Sequence, residues 1–189
     1  MIERKTIYFE KAGPKNTDET LQVSKARAQL LNIRKIVVAT NTGDTAVKCA
    51  TTLTDTDIEL IAVTLAAGRW KDHCPPDPEK LNELQQRGVK TITGTHLLIG
   101  NIGMAIRKRL GGLSYTELIG QTLYCFSQGV KVAVEIAVMA ADAGLLAMDE
   151  EVVAIAGTNR GADTALVLTP AYSNEFFNLK IREIIAMPR

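Results

Sequence analysis

Two polar loops, each directly after an apolar run, carry the residue types that bind phosphate groups. The first, residues 40–45, follows the run 36–39 and leads into a helix-compatible stretch. A helix start offers unpaired N–H groups and the positive end of the helix dipole, which suit an anion. The second loop, residues 158–165, repeats this composition, and its Arg160 adds a guanidinium that can pair bidentately with phosphate. The pattern predicts recognition of a small phosphate-bearing molecule.

The two loops can form one site if the strands before them are parallel neighbours. Their ends would then meet at one edge of the sheet, which is where open α/β sheets bind ligands. His96 also comes after a predicted strand, so it should reach the same edge and either contact a ligand, transfer a proton or serve the structure alone. The candidate ligand-binding residues are Thr40, Asn41, Thr42, Gly43, Asp44, Thr45, Gly94, Thr95, His96, Thr158, Asn159, Arg160 and Gly161. The alternative for the first loop is a plain helix cap, and for the second a β-turn.

The composition limits which binding partners and which cellular compartment we expect. The 189 residues carry a formal charge of +1, so there is no basic field for nucleic acid or for an anionic membrane. Three widely spaced cysteines argue against a disulfide framework and for a cytoplasmic protein. His73 and Cys74 lack a second, spaced pair of donors, so no metal site is predicted. The length is that of a single domain, residues 1–189.

Apolar runs of strand length alternate with helical patterns along the chain. The predicted strands are residues 6–9, 35–39, 58–64, 89–93, 152–156, 166–169 and 179–186. Helices are predicted from Asn16 as a cap, over 45–53 and 78–88, over 102–124 with a break at Gly111-Gly112, and over 130–146. This alternation predicts a three-layer α/β/α sandwich with a mostly parallel sheet. The last run alternates in part, which is typical of an edge strand.

The predicted helix 130–146 is apolar except for a narrow polar stripe. Lys131, Glu135 and Asp142 share one face at steps of three to four residues. The stripe could be a solvated face, the floor of a cleft or part of a subunit interface. So much apolar surface requires cover on nearly every side, and we therefore predict a symmetric homo-oligomer.

Several segments in order resemble one known family. They are Tyr8-Phe9-Glu10-Lys11, Asn16-Thr17, residues 36–39, Thr42-Gly43, residues 129–135, residues 140–144, residues 161–165 and Met187-Pro188-Arg189. Together they resemble the C-terminal domain of pyruvate kinase and, more closely, free-standing archaeal and bacterial proteins built from that domain alone. The resemblance extends along the whole chain and rests on the order and spacing of these segments, since no single one is diagnostic.

The resemblance implies an α/β/α sandwich that is not the catalytic part of the kinase. In some members the loop matching residues 40–45 holds a phosphate of a sugar bisphosphate effector. Asp44 departs from that pattern, because it puts a carboxylate where an anion should bind; it could instead cap the helix or bind a ligand hydroxyl. The sequence contains no counterpart of the catalytic barrel domain of pyruvate kinase, so the resemblance does not imply kinase activity. The free-standing relatives imply flavin mononucleotide (FMN) as a candidate ligand.

Three hypotheses belong to different classes of protein. The first is a binding module for a phosphate-bearing ligand, with FMN as the leading candidate. The second is an enzyme that uses a flavin or sugar phosphate, with His96 or Glu135 as proton donor. The third is a regulatory or assembly subunit whose apolar helix packs against a partner.

Overall fold

The computed structural model describes all 189 residues and contains one seven-stranded sheet. Its strands, in chain order, are β1 (Ile7–Phe9), β2 (Lys35–Ala39), β3 (Glu59–Thr64), β4 (Lys90–Thr93), β5 (Val152–Ala156), β6 (Thr164–Thr169) and β7 (Lys180–Pro188). Their order across the sheet is β1-β7-β6-β5-β2-β3-β4. Neighbours are parallel except for the pairs β5–β6 and β6–β7, so the predicted mostly parallel sheet is confirmed.

Helices cover both faces of this sheet, which gives the predicted three-layer α/β/α arrangement. They are α1 (Thr17–Leu30), α2 (Asp44–Thr52), α3 (Pro78–Gln86), α4 (Ile102–Leu110), α5 (Tyr115–Tyr124) and α6 (Gln128–Asp142). Short 3-10 turns cover Pro14–Asn16, Ala67–Arg69 and Ser173–Asn178. Side chains of α1, α2 and α3 form one apolar cluster with the sheet, and α6 fills the other face.

Strand β2 lies in the middle of the sheet because its side chains are apolar on both faces. Ile36 and Val38 enter the cluster with α1 to α3, whereas Val37 enters the cluster with α6. β2 is paired in parallel with β5 through Ile36↔Val153 and with β3 on its other side. The prediction of two interior, parallel strands with converging ends is therefore confirmed.

Local signals set most helix boundaries. Asp77 accepts a hydrogen bond from the Glu79 N–H and Pro78 is the first residue of α3, as the sequence predicts. The Gly111-Gly112 break separates α4 from α5. Asn16 precedes α1 but does not cap it, so this prediction is wrong: its side-chain amide donates to the Lys11 carbonyl at 2.8 Å instead.

The last strand is not at the edge of the sheet, which corrects the sequence prediction. β7 lies between β6 and the short β1, and β1 is the edge strand on this side of the sheet. The partial alternation of β7 reflects uneven cover along its length, because Lys180 to Arg182 are exposed whereas Ile185 to Pro188 are buried. Alternating apolar and polar residues indicate which faces of a strand are covered, but they do not indicate whether the strand has a neighbour on each side.

Helix α6 is buried by other elements of its own chain. Twelve of its fifteen residues are buried, against the sheet and against α5. Its apolar composition therefore gives no support for a second subunit, and the predicted homo-oligomer needs a different basis. No helix combines the length and apolar character that crossing a membrane requires.

Candidate functional site

All three candidate loops lie at the carboxyl-terminal edge of the parallel strands. Residues 40–45 come after β2, residues 157–163 after β5, and Gly94 to His96 after β4. Because β2 and β5 are neighbours, the first two loops are adjacent, and Gly43 and Gly161 lie at the same edge. β4 is two strands from β2, or about 10 Å at the usual strand spacing.

The first loop turns sharply into helix α2. Gly43 has φ +105°, and a Cβ there would lie 2.8 Å from the Lys80 Cβ, so the position favours glycine for two reasons. The Gly43 N–H donates to the Thr40 hydroxyl oxygen at 3.1 Å. The amide groups of Asp44, Thr45 and Ala46, at the start of α2, have no hydrogen-bond acceptor within the chain. Because Ala46 is fully buried, the amides of Asp44 and Thr45 are the donors that a bound anion would meet.

Asp44 is held by its own neighbours. Its Oδ1 lies 2.5 Å from Lys80 Nζ, and its Oδ2 accepts a 2.6 Å hydrogen bond from the Thr42 hydroxyl. The hydrogen bonds from Lys80 and Thr42, and more weakly the charge of Arg160, lower the pKa of Asp44. The carboxylate of Asp44 is thus ionised, and the positive charge of Lys80 offsets its negative charge. The hydroxyl hydrogen of Thr42 is donated to Asp44 and is not free for a ligand.

The second loop is fixed by a buried carboxylate. Oδ2 of the fully buried Asp163 accepts hydrogen bonds from the N–H groups of Gly13 (2.8 Å) and Thr158 (3.2 Å). Gly161 has φ +70°, and a Cβ there would lie 2.8 Å from the Pro14 Cα. Arg160 is exposed and forms no ion pair. The loop is therefore rigidly placed while its guanidinium remains available.

The two loops lead into different kinds of element. α2 begins at Asp44, within the first loop, whereas the second loop leads into the antiparallel strand β6. Asn159 adopts a left-handed conformation with φ +63°, which asparagine tolerates better than most residues. Only the first loop therefore supplies a helix start, and the second supplies the charge.

The third loop is occupied by contacts within the chain. The Ala66 N–H donates to His96 Nε2 at 3.2 Å, so this nitrogen carries a lone pair. The proton of the neutral ring is then on Nδ1, which donates to Glu135 Oε2 at 3.1 Å. Gly94 is half-buried and Thr95 is exposed beside it. Both ring nitrogens are engaged, which leaves His96 no free nitrogen for proton transfer.

Glu135 is a buried carboxylate with several donors around it. Its Oε1 accepts from the Leu98 N–H at 2.7 Å, and its Oε2 lies 2.5 Å from Lys131 Nζ. Burial alone would raise the pKa of Glu135, but the hydrogen bond from His96 and the charge of Lys131 outweigh burial and lower it to about 2. An ionised carboxylate accepts a proton and does not donate one, which weighs against Glu135 as the proton donor of the enzyme hypothesis.

The polar stripe of α6 divides into two parts. Lys131 and Glu135 are buried, so the solvated-face interpretation is wrong for them. Lys131 Nζ also lies 6.0 Å from the centre of the Tyr124 ring. Asp142 is exposed and accepts a hydrogen bond from the Ser173 N–H at 2.9 Å.

A cavity of about 430 Å³ opens beside the third loop. Its lining is Ile92, Gly94, Thr95, His96, Leu97, Asn101, Met139, Asp142 and Ala143. A larger cavity, of about 640 Å³, is lined by residues of the opposite edge of the sheet and includes no candidate site residue. Of these two cavities, the smaller one adjoins the third candidate loop.

Three residues that organise the site carry no role in the sequence predictions. Lys80 pairs with Asp44 from helix α3, Asp163 ties the second loop to Gly13, and Ala66 holds the His96 ring. Asp163 is the one with a sequence signal, because it stands directly between the polar loop and an apolar strand. The partners of Lys80 and Ala66 depend on how the loops meet in space.

Comparison with known proteins identifies the family. Residues 18–168 match the model of the family described as pyruvate kinase, alpha/beta domain. Among solved structures, a Cryptosporidium parvum pyruvate kinase is 16% identical with a TM-score of 0.45, over 82% of this chain and 23% of that chain. A Cryptosporidium parvum pyruvate kinase in complex with ADP is 19% identical with a TM-score of 0.39, over 80% and 23%. The chain thus spans about a quarter of the length of these kinases.

Proposed function

The chain belongs to the family of pyruvate kinase alpha/beta domains, and from the geometry of its loops we propose that it binds a small phosphate-bearing ligand. The phosphate would lie at the carboxyl-terminal edge of the sheet, between the loops after β2 and β5. FMN is the leading candidate for the whole ligand.

One observation carries this proposal: unpaired amides at the start of α2 lie at the same edge as an unpaired guanidinium. The N–H groups of Asp44, Thr45 and Ala46 have no acceptor in the chain, and Arg160 has no ion-pair partner. Arg160 is close enough to Asp44 for its charge to lower the pKa of that carboxyl group. Amides at a helix start together with a guanidinium are donors that suit a phosphate.

The carboxylate of Asp44 does not prevent a phosphate group from binding beside it. Lys80 offsets its charge at 2.5 Å while also pairing with Asp77 at 3.6 Å, so Arg160 and the positive end of the helix dipole supply the attraction for an anion. Thr42 would act indirectly, because its hydroxyl holds Asp44 and does not point a free hydrogen at a ligand.

The cavity beside the third loop supports FMN over a bare sugar phosphate. Leu97, Ile92 and Met139 give it apolar walls, which suit a planar ring system. The loop after β4 is two strands from β2 and three from β5, so it lies about 10–15 Å from a phosphate held between their loops. The ribityl chain of FMN would bridge the two subsites.

An enzyme that uses this ligand is supported less well. His96 has both ring nitrogens engaged, and Glu135 stays ionised at neutral pH. Neither residue considered as a proton donor is free to act as one.

Calorimetric titration with FMN and with riboflavin tests the proposal. Arg160→Ala removes a charge-assisted hydrogen bond worth about 1.5–3 kcal/mol, so FMN should bind roughly ten- to a hundredfold more weakly. Riboflavin, which lacks the phosphate, should be unaffected. Arg34→Ala is the matched control, because Arg34 is exposed just before β2, at the opposite edge of the sheet. Equal losses for both ligands would show that Arg160 does not contact the phosphate, and no binding of either would refute FMN as the ligand.

A further inference from the structure

Helices α4 and α5 and the turn between them carry the largest group of exposed apolar side chains in the protein. Six of these side chains, each more than half exposed, define what we call the hairpin surface: Ile102, Ile106, Leu110, Leu113, Tyr115 and Leu118. Exposed apolar surfaces of several hundred Å² on a soluble protein often mark interaction sites.

The hairpin surface is built on a defined pair of helices. Arg107 Nε lies 2.8 Å from Glu117 Oε2 and so joins α4 to α5, while α5 packs on the buried helix α6. Ile102, Ile106 and Leu110 recur every four residues, so they share one face of α4. Leucine and isoleucine along a helix face usually pack against another element, and no element of this chain covers them.

We propose that the hairpin surface binds a second copy of this chain in a two-fold symmetric dimer. The two α4 helices would cross antiparallel, with Ile106 near the symmetry axis and Ile102 of one protomer beside Leu110 of its partner. This proposal is independent of the proposed ligand and of helix α6.

The size of the hairpin surface fits a stable dimer. Six side chains that expose roughly 100 Å² each provide about 600 Å² per protomer. A standard protein–protein interface buries about 800 Å² per partner, and polar atoms at the rim would supply the difference. An isologous contact also needs only one surface on each copy.

The charges on α4 permit an antiparallel pair. Its three basic residues, Arg107, Lys108 and Arg109, are consecutive and lie in the C-terminal half of the helix. In an antiparallel arrangement each basic half faces the uncharged half of the partner helix, Gly103 to Ala105. Arg107 is moreover paired with Glu117 inside its own chain. The basic residues of the two copies thus lie on opposite sides of the symmetry axis, and Arg107, which is nearest to the axis, is the one already paired.

These charges fit a protein partner better than an anionic lipid surface. Sequence-readable binding to anionic lipids takes clusters of about four to eight Lys or Arg residues. α4 offers three, one of which is already paired, and the whole chain has a formal charge of only +1.

Sedimentation velocity of the full chain at roughly 1–100 µM tests the dimer. The unmodified protein should sediment as a dimer in the upper part of this range. Ile106→Glu and Ile106→Lys should each raise the dissociation constant by about a hundredfold, because like charges meet at the axis. Leu30→Glu is the control: Leu30 is 60% exposed at the end of α1, on the opposite face of the sheet, and this variant should remain a dimer.

A cross-linking experiment tests the same geometry. In a Cys74→Ser/Cys125→Ser background, Ile106→Cys should form a disulfide-linked dimer on mild oxidation, whereas Leu30→Cys should not. A monomer at every concentration overturns the proposal, and so does a dimer that survives both charge substitutions at Ile106. Flotation with phosphatidylserine vesicles supplies the remaining outcome: a monomer that binds vesicles through Ile106 would overturn the dimer in favour of a lipid surface.

Discussion

Nζ of Lys131 lies 2.5 Å from Oε2 of Glu135, and the two side chains are only 4% and 1% exposed. The carboxylate also accepts from the Leu98 N–H, so the pair holds the loop after β4 against helix α6. This buried ion pair therefore affects the stability of the protein and keeps the loop after β4 in place.

The stability should depend on pH through Glu135. Its pKa is about 2 in the folded protein against an ordinary value of 4.5, so folding is fully stabilised above about pH 4.5. As the pH falls toward 2 the unfolded chain takes up the proton first, and about 3 kcal/mol of stability should be lost. Urea unfolding at several pH values measures this loss, which Glu135→Gln should largely remove. Glu79→Gln, at an exposed residue without an ion pair, should leave the loss unchanged.

Removing one partner of the buried pair should cost more than removing one partner of an exposed pair. Lys131→Met leaves Glu135 as an uncompensated buried charge, and we expect a loss of about 3–5 kcal/mol. Lys48→Met removes the ion pair with Asp18, whose side chain is 80% exposed, and should cost under about 1 kcal/mol. Chemical denaturation of both variants at neutral pH gives the comparison. Similar small losses would mean that water reaches the Lys131–Glu135 pair.

Asp44→Asn should strengthen the binding of a phosphate-bearing ligand. The substitution removes a negative charge beside the unpaired amides of α2 and leaves Lys80 with Asp77 as its remaining ion-pair partner. We expect FMN to bind roughly three- to tenfold more tightly, and riboflavin to bind as before, in calorimetric titrations at low salt. Weaker binding of both ligands would instead indicate that the Asp44 carboxylate contacts a hydroxyl group of the ligand.

Gly161→Ala should destabilise the protein more than Gly112→Ala. Both glycines have a positive φ, +70° and +90°, so each substitution carries a conformational cost of about 1 kcal/mol. At Gly112 a Cβ meets nothing within 4 Å, whereas at Gly161 it meets the backbone of Pro14 at 2.8 Å. The steric conflict should add about 1–3 kcal/mol. Thermal unfolding compares the two variants, and equal losses would mean that the Pro14 turn yields easily.

The fold could be predicted because its signals are local. Apolar runs such as residues 35–39 require cover on both faces, and Asp77-Pro78 and Gly111-Gly112 set helix boundaries through their own backbone preferences. Asn16 shows the limit of such signals: a good capping residue bonded to Lys11 instead, because the chain before it turns back within reach.

The candidate site could be predicted only in its outline. The two loops meet because β2 and β5 are parallel neighbours, which their apolar runs suggest. The pairing of Asp44 with Lys80 depends on the close approach of α3 to Gly43, and no pattern in the sequence encodes that distance. Likewise, the spacing of Ile102, Ile106 and Leu110 predicts an apolar helix face but does not indicate what covers it.

The pairing of β1 with β7 has a consequence for the order of folding. Residues Ile7 to Phe9 pair with Ala186 to Pro188, so two segments from opposite ends of the sequence lie side by side. Contacts this distant require the closure of a very long loop, which costs entropy and slows folding. During synthesis β1 cannot pair until β7 has left the ribosome, whereas β2 and β3 can pair much earlier. The edge strand that comes first along the chain should therefore be among the last parts of the sheet to form.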